Sequence, residues 1–154
     1  MMSEIKGKDK VFLNIAKEIA SFSKCVSFQV GSVIVRDGRI LSTGFNGSPS
    51  KFKNCNEVFS SGFDREKHHA WSEGNEIHAE INSIIFAAKE GIKINGSVMY
   101  CTLQPCNNCL KNIFASGISR IVFGEKYDKC KYSDEILENI ILSDNQIILK
   151  IPNE

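Results

Sequence analysis

The spacing of apolar residues predicts the elements of the first third of the chain. Between residues 10 and 23 they recur at the intervals of an amphipathic helix. Residues 29–35 form a short apolar run typical of a buried strand. An Asp-Gly pair at 37–38 then predicts a tight turn into a second strand over residues 40–45. The chain is therefore expected to open with a helix followed by a β-hairpin.

The second half of the chain alternates between helical and strand patterns. Apolar residues recur at helical spacing after His78, and Pro105 is suited to begin another helix, which we expect to end near Gly117. A hairpin followed by alternating helices and strands predicts a three-layer α/β domain, with a mixed five-stranded sheet and helices on both faces. The remaining predicted elements are strands over residues 97–103, 119–124 and 146–151 and a helix over 133–142.

Between these regions lies a polar segment, residues 46–77, with little periodicity and several glycines. A loop of this length without regular structure is uncommon in a compact domain. Such a segment usually carries function or is held by an internal cross-link, so we expect one of the two here.

Length and composition indicate one domain over residues 1–154 and exclude several classes of protein. Lys and Arg total 19 against 18 Asp and Glu, so the chain lacks the basic excess that nonspecific nucleic-acid binding needs. No apolar run approaches the roughly 20 residues of a membrane span, and the N-terminus lacks the apolar core of a signal peptide. We therefore expect a cytoplasmic protein with no membrane partner, whose six cysteines stay reduced. Reduced cysteines are metal ligands or core residues; Cys101 is expected in the core, and Cys130 has no assigned role.

Two short motifs supply the ligands of a metal ion. His78 offers an imidazole, while Cys106 and Cys109 lie at i and i+3, on one face of the helix expected at Pro105. Three protein ligands leave the fourth tetrahedral position of zinc open for water, as in catalytic zinc sites. Glu80, two residues after the histidine, is a spare carboxylate that can transfer protons. Together these residues predict a hydrolytic zinc site.

Each motif by itself has a simpler explanation. A C-x-x-C pair also occurs in redox sites and structural zinc sites, and H-x-E is common by chance. The order of the motifs, with a proline before the first cysteine and a strand between them, favours the catalytic zinc. H-x-E paired with P-C-x-x-C is the known signature of zinc-dependent nucleobase deaminases, which the sequence resembles in this respect.

Across nearly its whole length the sequence resembles the deoxycytidylate deaminases, particularly those of phages. The zinc motifs alone would also admit deaminases of cytidine, guanine, tRNA adenosine or cytosine in polynucleotides, and the G-F-N-G-S-P loop narrows the choice. The resemblance implies the cytidine-deaminase fold, a homo-hexamer, and conversion of dCMP to dUMP with release of ammonia. It further implies that Glu80 transfers the protons beside the zinc. The matching segments are residues 23–24, 30–31, 44–49, 78–83, 102–109 and 127–128.

Four further residues are candidates for substrate contacts. Asn46 is expected to hold the sugar through its amide, although Asn-Gly is also a good turn. Tyr127 could stack on the base or bond to the phosphate, and an interfacial aromatic explains it equally well. Lys24 and Ser23, at the expected end of the first helix, are candidates for the 5′-phosphate, with a solvated lysine as the alternative.

The resemblance also implies a second, structural zinc, because some phage members hold one with two cysteines, a histidine and a glutamate. A closed four-ligand site would explain how the polar segment 46–77 stays ordered without a core. Reduced thiols without a metal are the alternative, and His69 could replace the matching histidine. The matching residues are Cys25, Cys55, His68 and Glu76.

Regulation is implied by the resemblance alone. Many deoxycytidylate deaminases are activated by dCTP and inhibited by dTTP, each bound with Mg²⁺ at a site separate from the zinc. Gly44 and Gly47 would let backbone amides approach such a ligand, and Asn46 would connect it to the substrate. Lys89 is a candidate triphosphate contact, with a solvated lysine at a helix end as the alternative.

Two other functions remain open at this point. One is a deaminase of another cytosine or adenine substrate, either a free nucleoside or tRNA and other polynucleotides. The near-neutral charge and the lack of a basic, aromatic-rich tail argue against a polynucleotide. The other is a non-catalytic interaction domain held together by zinc, which would leave Glu80 without a role.

Overall fold

The structure, a computed structural model, describes residues 5–150. Within them the chain forms six strands and six helices. The strands are β1 (Gly31–Arg36), β2 (Arg39–Phe45), β3 (Val98–Leu103), β4 (Arg120–Glu125), β5 (Ile140–Ser143) and β6 (Gln146–Leu149). The helices are α1 (Gly7–Ala20), α2 (Cys55–Val58), α3 (Arg65–Asn75), α4 (Ala79–Glu90), α5 (Asn107–Ala115) and α6 (Asp134–Glu138).

One mixed sheet joins the six strands in the order β2-β1-β3-β4-β6-β5. β1 pairs antiparallel with β2 and β3, and the antiparallel β5–β6 hairpin continues the sheet beyond β4. β3 and β4 are parallel. Because the carboxyl ends of parallel strands meet at one edge of a sheet, the segments that follow β3 and β4 leave it side by side.

Helices cover both faces of the sheet, so the predicted three-layer α/β architecture is confirmed. On one face, Leu13 and Ala16 of α1 pack against Val33 and Val35. On the other, α4 and α5 pack over side chains that alternate with the first set, such as Ile34. No helix among residues 5–150 is both long and apolar enough to cross a membrane.

The C-terminal region has one strand more than expected. A helix was predicted over residues 133–142, but α6 ends at Glu138 and β5 follows it, so the sheet has six strands rather than five. The apolar residues of this stretch fit a short helix or a strand equally well, and pairing with β6 decides between them. Asn145, in the β5–β6 turn, donates hydrogen bonds of 3.0 Å to two carbonyl groups of β4 and so ties the hairpin to the sheet.

Three predicted boundaries near the functional residues also differ. α1 ends before Ser23, which lies in the loop that follows. α5 begins at Asn107, because Cys106 has an extended backbone and caps the helix; Pro105 therefore precedes the cap instead of starting the helix. The polar segment 46–77 contains two helices, α2 and α3, rather than only loop.

Candidate active site

Two helix N-termini bring one imidazole and two thiols together. His78 is the N-cap of α4, and Cys106 is the N-cap of α5, whose first turn carries Cys109. The Nδ1 atom of His78 lies 3.1 Å from the Sγ of Cys109 and 3.6 Å from the Sγ of Cys106. Ligands of one tetrahedral zinc, with Zn–S about 2.3 Å and Zn–N about 2.0–2.1 Å, lie roughly 3.5 Å apart. The three side chains therefore fit a zinc ion that keeps one position for a further ligand.

The proton affinities of these groups are consistent with a cation site. A hydrogen bond with Cys109 lowers the pKa of Cys106 to about 4, although burial acts in the opposite direction. The same hydrogen bond, together with burial, raises the pKa of Cys109. The hydrogen bond with Cys106 raises the pKa of His78. Without a metal ion, bound protons supply the positive charge in this cluster. Binding of a divalent cation would release those protons.

Glu80 lies in the first turn of α4 and faces the same cleft as His78 and Cys106. Only 4% of the residue is exposed. Burial raises the pKa of its carboxyl group, because removal from water favours the neutral form. Glu80 does not belong to the group of possible metal ligands in the described chain. A buried carboxyl beside metal ligands is suited to accept and return a proton.

The start of α4 is fixed by packing against the β1–β2 hairpin. A Cβ atom at Gly44 would come within 2.5 Å of the Ala79 carbonyl oxygen and the Ser83 nitrogen. The Ser83 hydroxyl lies 3.0 Å from the Ser32 hydroxyl of β1, and the Ser42 hydroxyl of β2 donates to the Ser83 carbonyl at 2.6 Å. These contacts fix the position of α4 on the sheet, and hence that of Glu80.

The three-ligand cluster opens into one cleft with a volume of about 350 Å³, within the usual range for small-molecule sites. Phe28, Val30 and Leu103 provide apolar walls, and Tyr127 contributes from the loop after β4. The rings of Phe28 and Tyr127 lie 6.4 Å apart at 74°, an edge-to-face arrangement. The backbone N–H of Tyr127 donates to the Oε1 of Gln104 at 3.1 Å, which holds this loop beside β3. Tyr127 is therefore in place to contact a planar ligand.

Asn46 lines the cleft, but its amide also has a structural role. The Oδ1 atom accepts a hydrogen bond from the Val30 N–H at 2.9 Å, and Nδ2 donates to the Phe28 carbonyl at 2.8 Å. These bonds hold one wall of the cleft. An amide side chain offers two donors and two acceptor positions, so one of each is left for a ligand.

The two residues expected at a phosphate do not line the cleft in the described part of the chain. Lys24 is exposed. Ser23 is 3% exposed, and its hydroxyl donates to the Asn46 carbonyl at 2.9 Å and accepts from the Cys25 N–H at 3.3 Å. In the structure the hydroxyl of Ser23 thus joins the Asn46 loop to a second cluster.

This second cluster forms part of the cleft wall. The Sγ of Cys25, the Nε2 of His68 and the Oε1 of Glu76 are each 3.5 Å from the other two. Cys55 completes the group, whose ligand atoms all lie within 4.8 Å of one another. The other Glu76 oxygen, Oε2, is buried without a hydrogen-bond partner in the described chain, which is costly unless a cation is near. Two sulfurs, a nitrogen and an oxygen at these distances fit a closed tetrahedral zinc site.

Burial distinguishes the two neighbouring histidines. His68 is 8% exposed, and the rings of Phe59 and Phe63 each lie 5.3 Å from its ring. His69 is exposed and pairs with Glu73 on the same helix at 3.3 Å. The structure therefore brings His68, and not His69, to the second cluster.

The residues suggested for regulation lie on two elements, the end of β2 with the loop after it and the last turn of α4. Gly44 is buried against α4, and Gly47 forms an isolated backbone bridge with Ile77 through hydrogen bonds of 3.1 and 2.8 Å. Lys89 is exposed near the end of α4. The two glycines thus serve packing and backbone pairing within the chain.

Several cleft residues lie outside the motifs that the sequence offers. Phe28, Arg65 and Lys129 line the cleft but belong to no recognisable pattern. Cys101 is fully buried, as predicted, and the Cys130 thiol donates to the Pro105 carbonyl at 3.3 Å. The only sequence signal for Lys129 is its position directly after the Tyr-Asp pair that resembles the family.

The chain is similar in sequence and in structure to several known proteins. The family model described as "Cytidine and deoxycytidylate deaminase zinc-binding region" matches residues 6–125. The deoxycytidylate deaminases of Enterobacteria phages T2 and T4 are each 41% identical over 86% of this chain, and the match covers 88% and 86% of those proteins. The dCMP deaminase of cyanophage S-TIM5, solved in complex with dCMP and dUMP, is similar with a TM-score of 0.66 at 30% identity. That similarity covers 84% of this chain and 88% of the cyanophage chain.

Proposed function

The chain belongs to the cytidine and deoxycytidylate deaminase family, and from this premise we propose that it converts dCMP to dUMP and ammonia with the help of zinc. The phage relatives named deoxycytidylate deaminase, and the similar cyanophage enzyme solved with dCMP and dUMP, support this substrate. The thiol ligands must stay reduced, which suits a single-domain enzyme of the cytoplasm.

The observation that carries the proposal is the buried carboxyl of Glu80 beside three ligand side chains that leave one zinc position open. A structural zinc site uses four protein ligands and needs no proton carrier. A non-catalytic domain held together by zinc would give Glu80 no role. The arrangement of His78, Cys106 and Cys109 therefore supports hydrolysis.

Zinc bound by His78, Cys106 and Cys109 would supply a nucleophile near neutral pH by acidifying water. Glu80 accepts the proton from the attacking water at a carboxylate oxygen and donates it to N3 of cytosine, which makes C4 more electrophilic. Glu80 then takes the proton of the hydroxyl group added at C4 and passes it to the amine, so that the C4–N bond breaks, ammonia leaves and a carbonyl group remains at C4. One carboxyl group thus serves first as base and then as acid, for which its raised pKa is suited. Asn46 and Tyr127 orient the sugar and the base.

The proposal includes a second, structural zinc held by Cys25, Cys55, His68 and Glu76. Its support is the set of 3.5 Å separations and the unpaired buried oxygen of Glu76. Such a zinc would join the loop after α1 to the polar segment, and so stabilise a wall of the cleft.

Assembly and regulation complete the proposal, on the strength of the family resemblance. The enzyme would form a homo-hexamer, with dCTP as activator and dTTP as inhibitor, each bound with Mg²⁺ away from the zinc. Of the residues suggested for this role, Asn46 and Lys89 have side chains available for a ligand. Sigmoidal dCMP kinetics that become hyperbolic with dCTP, with a coupling of about 1–3 kcal/mol, would bear this out. Hyperbolic kinetics insensitive to both triphosphates, on a confirmed hexamer, would contradict it.

The decisive experiment is ammonia release from dCMP, CMP, deoxycytidine, dCTP and adenosine by the zinc-loaded protein. We expect dCMP to be the preferred substrate and Glu80→Gln to be inactive with zinc still bound. Preference for a nucleoside or for adenosine would identify a different deaminase. Ammonia release by Glu80→Gln at the rate of the wild type would overturn the proposed chemistry.

A further inference from the structure

We propose that Arg65 and Lys129 bind the 5′-phosphate of the nucleotide and so set the preference for a monophosphate over a nucleoside. The inference rests on the proposed function, because the phosphate is present only if dCMP is the substrate. It assigns the contact to two cations that line the cleft instead of Lys24, which does not line it in the described chain.

Both cations line the cleft that contains Glu80, and they come from different elements. Arg65 is the first residue of α3, whereas Lys129 lies in the loop after β4. The parallel pairing of β3 and β4 brings that loop beside Cys106, which follows β3. A nucleotide whose base lies at Glu80 can therefore meet two cations without leaving the cleft.

The charges of the cleft favour these two residues. A phosphate monoester carries a charge of about −1.5 to −2 near pH 7 and needs cationic partners in the cleft. Arg65 and Lys129 are the lysine and arginine residues of its lining, and neither forms a salt bridge among residues 5–150. The exposed imidazole of His69 already pairs with a carboxylate of its own helix. The phosphate is the anion that would compensate the two unpaired cations.

The geometry of α3 directs Arg65 to this position. Asp64 caps the helix, because its carboxylate accepts the Lys67 N–H at 3.0 Å. Arg65, His69 and Ser72 follow at i, i+4 and i+7, share one helix face and all line the cleft. The planar guanidinium of Arg65 can bind two phosphate oxygens, whereas a lysine acts as a single compact charge.

The test uses Arg65→Gln, Lys129→Gln and the double variant, with Lys67→Gln as the matched control. Lys67 is an exposed cation of the same helix that does not line the cleft. The measurements are kcat/KM for dCMP and deoxycytidine, and inhibition constants for dUMP and deoxyuridine. Each cleft variant should lower kcat/KM for dCMP and weaken dUMP inhibition about tenfold to a hundredfold. The deoxycytidine and deoxyuridine values should not change, and Arg65→Lys should retain part of the dCMP preference.

The possible failures are distinguishable. A wild-type enzyme inactive on dCMP would overturn both the proposed function and this inference. Activity on dCMP with an unchanged preference in the double variant, or an equal loss in Lys67→Gln, would overturn the phosphate contact alone. Arg65 shares α3 with His68, so zinc content and thermal unfolding are measured for every variant. If Arg65→Gln loses zinc, Lys129→Gln still decides, because its loop carries no proposed metal ligand.

Discussion

Gly44 offers a direct test of how the fold positions the proton-transferring carboxyl. In Gly44→Ala, the added Cβ would lie 2.5 Å from the Ala79 carbonyl oxygen, 2.5 Å from the Ser83 nitrogen and 3.1 Å from the Ser83 Cα. All three are backbone atoms of α4, so rotation of a side chain cannot relieve the contact. The helix has to move away from β2.

The structure gives the size of this movement. Ordinary van der Waals contact begins at 3.4 Å, so the 2.5 Å contacts require α4 to retreat by 0.9 Å. Overpacking of a core in this way costs about 1–3 kcal/mol in the free energy of unfolding. His78 and Glu80 lie at the same end of α4, and a misplacement of about 1 Å can reduce a rate by about 10²-fold. We therefore expect Gly44→Ala to lose both stability and kcat.

The assay combines urea unfolding, followed by circular dichroism, with zinc content and kcat for dCMP. Gly47→Ala is the matched control, because the nearest atom to its added Cβ is the Cε2 of Phe45 at 4.0 Å. The control should stay within about 0.5 kcal/mol of the wild type. A Gly44→Ala enzyme as stable and active as the wild type would refute the packing argument. A variant that loses only its response to dCTP would instead favour a ligand at this glycine.

Three further predictions follow from the metal clusters and the surface of α1. Cys106→Ala should lose the catalytic zinc, whereas Glu80→Gln should keep it and lose turnover. Metal analysis showing zinc loss in Glu80→Gln but not in Cys106→Ala would make Glu80 the ligand instead of Cys106. Pure protein should contain about two zinc ions per chain, and Cys55→Ser about one, with faster hydrogen exchange around residues 50–76; one zinc in the fully active wild type would contradict the second site. Burial opposes ionisation of Asp9, but hydrogen bonds from Arg120 and Tyr100 outweigh it and lower its pKa below 3.8. A lowered folded-state pKa stabilises the fold above pH 4 or so, and this contribution is lost as pH falls. Asp9→Asn should therefore lower the free energy of unfolding by under about 1 kcal/mol at pH 7. When both proteins are titrated with acid, this difference in stability should shrink below about pH 4. A difference that stays constant with pH would contradict the ion pair.

The sequence by itself determined the order of most elements and one set of possible ligands, His78, Cys106 and Cys109. Helical and strand periodicities are local properties of the chain, which is why α4 and the β1–β2 hairpin were predictable. The i, i+3 spacing of Cys106 and Cys109 and the closeness of His78 to Glu80 are equally local. The resemblance to a family added the second set, because no local pattern relates Cys25 to the ligands of the polar segment.

Tertiary structure decided the elements and contacts that depend on distant partners. Residues after Glu138 could form helix or strand, and hydrogen bonding with β6 made them a strand. Burial among aromatic rings selected His68 over its neighbour. The parallel pairing of β3 and β4 brought the loop of Lys129 to the cleft. The spacing of residues along the chain does not predict this position. A cleft wall is assembled from segments far apart in sequence, so its members follow from the order of strands in the sheet and not from any local pattern.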